Sequence, residues 1–232
     1  MQKHINMDEL KANIIELLST KAALKQDIAT FSESVLEQLK ALAVQEVEDL
    51  RGQIPDERVR LKIQDNGTHE FMFYVGSDVL VFQLHQNVFR MPEESAIWKT
   101  SYIQENPDRG YFGVINVYNF LAESFEQNRM NDEGYLIGRI FMNFEKHFLV
   151  EGKGQLGFLF TDLVNMELTD DKALHIIRVA MKFAIEFDLI TPPYTMIQEV
   201  SLFQIQTISS DLRLSTGKRV GFKFSSEQEE IE

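Results

Sequence analysis

The sequence predicts an α+β protein in which an antiparallel or mixed β-sheet is covered by a long N-terminal amphipathic helix and one further helix. Three observations predict this class. Residues 7–50 contain no Pro or Gly, and their apolar side chains recur at steps of three and four, as on one face of a helix. From residue 59 the apolar period changes to two, which is typical of strands. Residues 172–189 carry a second apolar stripe of helical spacing after the capping sequence Thr169-Asp170-Asp171.

The first helix has the apolar spacing of a coiled-coil seam. Its eight seam positions, of which only Lys21 is not apolar, are Leu10, Ile14, Leu17, Lys21, Leu24, Ile28, Phe31 and Val35. Beyond Phe31 the stripe continues in steps of four, so the period returns towards 3.6 and a strict supercoil should relax. We expect the seven apolar positions to mediate self-association, and a homodimer is the simplest product.

Residues 7–50 could form one helix or a helical hairpin. Gly52 and Pro55 predict the end of a single helix. Thr30 with Glu33 forms a second capping-box pattern, and Ser19-Thr20 are poor helix formers, which favours a break instead. The unbroken stripe favours the single helix, and the hairpin is kept as the alternative.

The chain is expected to divide into three regions. Residues 1–54 form the helical, coiled-coil-like segment, residues 55–224 an α+β domain, and residues 225–232 a disordered acidic tail. Turn sequences at 65–67 and 76–78 predict a three-stranded meander over residues 59–82. Further strands are predicted at 97–104, 110–118, 135–143 and 155–160. For 135–143 a helix is the alternative, because Leu136, Ile140, Phe144 and Phe148 have helical spacing, whereas Gly138 and the turn sequence at 144–146 favour strands. Residues 196–208 and 220–224, with a hairpin turn at 216–218, are expected to close the domain.

Composition excludes several classes of function. The 232 residues contain no cysteine, which excludes a disulfide framework, a thiolate nucleophile and cysteine-based zinc or iron–sulfur sites. The formal net charge of −13 argues against general nucleic-acid binding, because proteins bind nucleic acids mainly through contacts of Lys and Arg with the backbone phosphates. No apolar run reaches the length of a membrane span, and no signal peptide is visible, so we expect a cytoplasmic protein without membrane association. The five histidines show no metal-ligand spacing, and neither a metal nor a cofactor is indicated.

One short motif suggests chemistry. An apolar strand is predicted to end in Glu151-Gly152-Lys153, and on a strand Glu151, Lys153 and Gln155 share one face. The Glu-x-Lys pair resembles the second half of the PD-(D/E)xK nuclease signature, which implies a carboxylate that holds a divalent metal and a lysine that positions water. The resemblance covers three residues. The upstream acidic ligand that the family needs would have to be Asp108, in a predicted turn, or Asp132, in a loop. The alternative interpretation of Glu151 and Lys153 is an ordinary ion pair exposed to solvent.

Polar side chains also interrupt the apolar strands at Asn116, Tyr118, Asn119, Arg139 and Asn143. Because buried polar groups need hydrogen-bond partners, these residues could line a pocket; strand ends that face water are the alternative.

Two functions follow as expectations. The first is a non-enzymatic interaction or assembly module that self-associates through the N-terminal helix. The second is a small-ligand-binding or metal-dependent, nuclease-like domain near Glu151 and Lys153. The candidate ligand-binding residues are Arg139, Asn143, Glu151, Lys153 and Gln155, and no catalytic residue is assigned.

Overall fold

The structure is a computed structural model that describes residues 7–191, 193–197 and 199–202. Its sheet is antiparallel throughout, with the strand order β1-β2-β3-β5-β6-β7, while the short β4 pairs with the start of β5. The strands are β1 (Leu61–Asp65), β2 (Glu70–Val75), β3 (Asp78–Leu84), β4 (Phe89–Arg90), β5 (Tyr111–Leu121), β6 (Tyr135–Met142) and β7 (Phe148–Gly152). The predicted α+β class is confirmed. Of the segment predicted at 196–208 the structure describes residues 196, 197 and 199–202, and the first two belong to a short helix, Tyr194–Ile197. The rest of that segment, the hairpin predicted at 216–224 and the acidic tail at 225–232 lie outside the described residues.

The N-terminal segment is one helical run, and the helical-hairpin alternative is wrong. It consists of α1 (Met7–Leu17), a π-helical turn (Leu18–Ala22) and α2 (Ala23–Arg51). The hydroxyls of Ser19 and Thr20 donate hydrogen bonds of 2.8 Å to the carbonyl oxygens of Ile15 and Glu16, one turn earlier. Such back-bonding distorts a helix without ending it, and single π turns are a common form of that distortion. The poor helix formers therefore mark an irregularity within the run.

Helix α2 and a second long helix, α6 (Asp170–Ile185), cover one face of the sheet. Alternate side chains of β2 and β3 point into this layer, and the stacked rings of the register partners Phe71 and Phe82 have centroids 4.7 Å apart. Leu36 and Leu39 of α2 are fully buried against the same layer. The predicted cap of α6 is confirmed, since the Thr169 side chain accepts a hydrogen bond from the third residue that follows it.

The two helices are also joined by one partly buried ion pair. Arg178 of α6 donates two hydrogen bonds of 2.8 Å to the carboxylate of Glu46 on α2. Glu46 is one of the few charged groups buried in the described chain, and hydrogen bonding to its carboxylate raises the pKa of Arg178 above its usual value. The pair fixes how α2 and α6 lie side by side.

The residues that the structure describes cover the other face of the sheet only at its two ends. One end lies under the connection between β4 and β5, which contains helical turns at Ala96–Lys99 and Pro107–Gly110 and a short helix, α3 (Ser101–Glu105). The other end lies under the short helix α4 (Ala122–Glu126). An uncovered strip of sheet runs between these two patches.

Two predicted strands are wrong. Residues 97–104 form helical turns, because Thr100 caps α3 and the Trp98 ring packs directly against Gly110. Residues 155–160 contain the short helix α5 (Leu156–Leu159). There Gly154 has a φ of +54°, and Gly157 approaches the Gly152 carbonyl oxygen so closely that a Cβ would lie 2.2 Å from it. The chain folds back on β7 at this point, so it cannot continue as a strand. The strands predicted at 110–118 and 135–143 are confirmed as β5 and β6.

The crossing of α2 over β5 depends on a glycine. A Cβ built on Gly113 would lie 1.8 Å from the Ser32 hydroxyl oxygen and 2.8 Å from the Ser32 Cβ. Ser32 is buried and donates a 2.7 Å hydrogen bond to the Ile28 carbonyl, so its hydroxyl has no free space to move into. Only the absence of a side chain at Gly113 lets helix and strand come this close.

We predict that Gly113→Ala lowers the free energy of unfolding by about 1–3 kcal/mol, the usual cost of overpacking a core. Chemical denaturation measures the change. Ser32→Ala removes the nearest clashing atom, so Gly113→Ala should cost less in that background. Gly52→Ala is the matched control, because Gly52 has a helical φ of −65° and its Cβ would meet only ordinary contacts. An equal loss in both glycine variants would contradict this account of the crossing.

Candidate functional site

Two surfaces of the described chain are candidates for function. The first is the apolar side of the helix before residue 22, which we call the α1 face. The second is the uncovered strip on the sheet, which we call the polar groove. The first was singled out by apolar periodicity and the second by polar residues within strands.

The α1 face consists of large apolar side chains that nothing in the described chain buries. All residues from 7 to 21 are exposed. Its six members retain between 42 and 73% of their accessible surface: Met7, Leu10, Ile14, Ile15, Leu17 and Leu18. A helix of a globular protein normally turns such a stripe towards a core, so these side chains lack the contacts that their pattern requires.

The structure divides the predicted seam into two parts. Ile28 and Val35 are fully buried against the chain's own sheet. Leu24 and Phe31 are partly buried beside them, whereas Leu10, Ile14 and Leu17 belong to the α1 face. The seam residues after the π-helical turn therefore serve the core of the same chain, and those before it remain available to a partner.

The polar groove is built on a row of polar residues that crosses five strands. Each is the register partner of the next, one from each of β2, β3, β5, β6 and β7 in that order: Glu70, Gln83, Asn116, Arg139 and Glu151. Neighbouring strands lie about 4.8 Å apart, so the row spans about 19 Å. Because side chains alternate along each strand, all five point to the incompletely covered face.

Apolar and aromatic side chains form the walls of the groove. The larger cavity, of about 470 Å³, lies over Asn116, Arg139 and Glu151, and Phe89 and Phe141 are among its walls. A smaller cavity, of about 250 Å³, lies over Glu70 and Gln83 beneath Phe125 and Phe120. The two cavities share Tyr118, so they lie next to each other along the row.

Arg139 and Glu151 form an ion pair on the groove floor, as expected from their direct opposition on β6 and β7. Their side chains are 46 and 49% exposed. The Arg139 guanidinium also lies 5.3 Å from the centroid of the Phe141 ring. An ion pair this exposed contributes only about 0–1 kcal/mol to stability, so it does little to hold the fold together.

The amide groups of the row differ in their hydrogen bonding. Gln83 donates a 3.2 Å hydrogen bond to the Glu70 carboxylate. The Asn116 amide and the Tyr118 hydroxyl, both half-buried, have no hydrogen-bond partner among the described residues. These two groups present unused donors and acceptors to the groove.

Three of the five predicted ligand-binding residues lie outside the groove. Asn143 is fully buried in the turn between β6 and β7, where its amide donates to the Tyr102 hydroxyl at 3.0 Å and to the Arg109 carbonyl at 3.3 Å. Lys153 and Gln155 are exposed and follow the end of β7. Of the five predicted residues, the structure therefore places only Arg139 and Glu151 in the groove. Asn143 instead stabilises the turn between β6 and β7 through its hydrogen bonds.

The arrangement implied by the nuclease signature is not formed by the described residues. Strand β7 ends at Gly152, and the Lys153 N–H donates a 2.8 Å hydrogen bond to the Ile137 carbonyl oxygen of β6, so the backbone pairing reaches the lysine of the motif. Asp132 has a buried side chain that pairs with Arg129, and Asp108 lies in an exposed helical turn. Within the described ranges, no group of three or more His, Asp or Glu residues could hold a metal ion.

Sequence reasoning missed Glu70, Gln83 and Phe89 as groove residues. Their own positions carried the signal, since Glu70 and Gln83 are polar interruptions in apolar strands, as Asn116 is. What the sequence lacked was the strand register, which alone shows that they lie in one row.

Comparison of the chain with protein-family models, with curated proteins and with solved structures gives no match. Any functional argument must therefore rest on the chain's own residues. None of the described helices has both the length and the apolar character needed to cross a membrane.

The turn that holds Asn143 gives a test based on pH. Burial raises the pKa of Tyr102 from 10.0 to about 12; the Asn143 hydrogen bond opposes this rise and the nearby Glu145 carboxylate adds to it. Between these two pH values the unfolded chain loses the proton while the folded chain keeps it. The free energy of unfolding should therefore fall as pH rises through this window, and the part due to Tyr102 is fully present below it.

Denaturation measured across that window checks this expectation, with Tyr102→Phe as the control that removes the titrating group. The pH-dependent fall should be smaller in the variant than in the unmodified protein. Equal slopes in the two proteins would contradict the assignment to Tyr102.

Proposed function

We propose that the protein is a non-enzymatic assembly module that forms a homodimer through the α1 face. The supporting observation is the set of six large apolar side chains on a helix that no described residue covers. Contiguous apolar patches of this kind mark interaction sites in soluble proteins. Helical stability also comes mainly from packing of the apolar face, so a partner would stabilise α1 as well as cover it.

A second copy of the chain fits the spacing of this face. Leu10, Ile14 and Leu17 follow the three-and-four pattern by which side chains of one helix fit between those of another. A two-fold axis lets one such stripe bury itself against its own copy, and two-fold dimers are the commonest oligomers.

Charge favours an antiparallel pair of helices. Lys21 occupies a seam position, so a parallel pair in register would place two Lys21 side chains opposite each other. An antiparallel pair instead brings Lys21 and Lys25 towards the acidic first turn of the partner, which contains Asp8 and Glu9. It also opposes the two helix dipoles, which a parallel pair would align.

The mass of the particle in solution tests the dimer. One chain has a mass of 26.9 kDa, and light scattering should give about twice this value for the unmodified protein. The double variant Ile14→Gln, Leu17→Gln should have the mass of one chain, because polar side chains remove the apolar seam. The free energy of unfolding of this variant should differ by less than about 0.5 kcal/mol from that of the unmodified protein when both are measured as monomers, since both positions are exposed.

The matched control for this test is Ala12→Gln, Glu16→Gln, which alters the opposite side of the same helix. It should leave the dimer intact. A monomer in the unmodified protein at tens of micromolar would overturn the proposal, and so would equal dissociation by both double variants.

Disulfide trapping tests the direction of the helices, and the absence of native cysteine makes it clean. An antiparallel pair centred between Ile14 and Leu17 places Leu10 opposite Lys21, and the two Leu10 residues about 16 Å apart along the axis. A mixture of the Leu10→Cys variant and the Lys21→Cys variant should then form disulfide-linked dimers that contain one chain of each. Leu10→Cys alone should not, because Cα atoms more than about 7 Å apart cannot be bridged. Rapid cross-linking of Leu10→Cys alone would indicate a parallel pair.

The second candidate function is small-ligand binding, and the polar groove is the observation that favours it. The metal-dependent, nuclease-like form of this candidate has less support, since Asp132 is buried and paired with Arg129, and no group of three or more His, Asp or Glu among the described residues could hold a metal ion. A cytoplasmic location remains an expectation from the sequence.

A further inference from the structure

The polar groove has a composition that neither a core nor a plain solvent-exposed face requires. On both sides of it the same sheet face is apolar and covered, by the β4–β5 connection and by α4. Between them the described part of the chain leaves the polar row open, and large apolar side chains stay exposed on its rim, among them Phe89 and Leu136, each 41% exposed. A trough with apolar walls and a few polar groups on its floor has the form of a small-molecule site, and 470 Å³ is within the usual size range.

The charges around the larger cavity of the groove are balanced internally. Arg139 is paired with Glu151 on the floor, and Arg90 on the rim is paired with Glu93 at 3.3 Å. A charged ligand would have to compete with one of these pairs. A fully apolar ligand would strip water from Arg139, Glu151 and Asn116 without replacing its hydrogen bonds, which is costly. The floor therefore favours a ligand that is neutral and polar.

The donors and acceptors on the floor match adjacent hydroxyl groups. Arg139 only donates hydrogen bonds and the ionised Glu151 only accepts them, and the two lie side by side. The Asn116 amide, next in the row, does both and has no partner among the described residues. A hydroxyl group donates and accepts at once, so two neighbouring hydroxyls can satisfy such a set without any net charge. The rings of Tyr118 and Phe141 are apolar surfaces for the C–H side of the same ligand.

We propose that the polar groove binds a neutral ligand with adjacent hydroxyl groups, such as a sugar ring. Its hydroxyls contact Asn116, Arg139 and Glu151, and its apolar side lies against the aromatic walls. This site is separate from the α1 face, so the inference does not depend on dimerisation.

The test is a titration with defined probes, followed by amide chemical shifts and by calorimetry. Neutral probes are maltose, cellobiose and trehalose; glucose 6-phosphate is the anionic probe and glucosamine the cationic one. At least one neutral sugar should bind at millimolar concentration and shift the resonances of Asn116 and of the β6 and β7 residues on the groove floor. Arg139→Gln and Glu151→Gln should each weaken that binding by about tenfold or more, the effect of losing one hydrogen bond to a charged group.

Lys153→Gln is the control, since Lys153 is exposed and lies outside the groove. It should leave the affinity for the sugar unchanged.

The melting temperatures of all three variants should stay close to that of the unmodified protein, because the ion pair is half exposed. A large drop in melting temperature would show that the ion pair is structural and would overturn the proposed site. The proposal also fails if only the charged probes bind, if no probe binds, or if Lys153→Gln weakens binding as much as the groove variants do. The monomeric variant Ile14→Gln, Leu17→Gln should bind the same sugar equally well, which separates this result from the fate of the dimer.

Discussion

The close packing of α2 across β5 is the contact on which the rest of the structure depends. At Gly113 the helix lies so near to the strand that a Cβ on the glycine would overlap the side chain of Ser32. This contact fixes the height of α2 above the sheet, and with it the space that Leu36, Leu39 and the inward-facing rings of β2 and β3 fill. Helix α6 then packs beside α2 in the same layer, held by the Glu46–Arg178 pair.

The α1 face follows from a mismatch of lengths. The helical run over residues 7–51 is about 68 Å long at about 1.5 Å per residue. The six strands of the main sheet order are about 24 Å across at about 4.8 Å per spacing, and the longest of them, β5, has 11 residues. No direction across such a sheet can cover the whole helix. Once α2 is fixed by its packing on β5, the preceding part must extend beyond the sheet, and its apolar stripe comes with it.

The groove follows from how the second face is covered. Two short insertions supply the cover: the β4–β5 connection reaches one end, and α4 reaches the other. Neither is large enough to meet the other. Where a sheet face stays open, polar side chains are tolerated, and the row from Glu70 to Glu151 occupies that strip. The ion pair and the free amide in the row therefore lie where water, or a ligand, can reach them.

Local pattern was enough to predict some parts of this protein. The period of the apolar residues identified the two long helices and the meander, because periodicity depends only on which side of an element is buried. At β6 the apolar spacing fitted a helix, and the strand was indicated by Gly138 and by the turn sequence at 144–146. Local pattern failed at residues 97–104 and 155–160, where Trp98 against Gly110 and the glycines after β7 bend the chain by contacts that no local pattern encodes. Polar interruptions identified Arg139 and Asn116 as unusual, and the Glu-x-Lys motif identified Glu151. The interruptions also singled out Asn143, whose hydrogen bonds belong to a buried turn.

By itself the sequence determined the class of fold, the helical character of residues 7–50 and the existence of a long apolar stripe along them. Only the tertiary structure decided which part of that stripe belongs to the core and which part is left for a partner. It also decided which polar residues meet, since register and strand order bring together residues as far apart in the chain as Glu70 and Glu151. The physical reason is the same in both cases. A residue's type fixes what contacts it needs, but only the packing of distant elements determines whether its own chain supplies them.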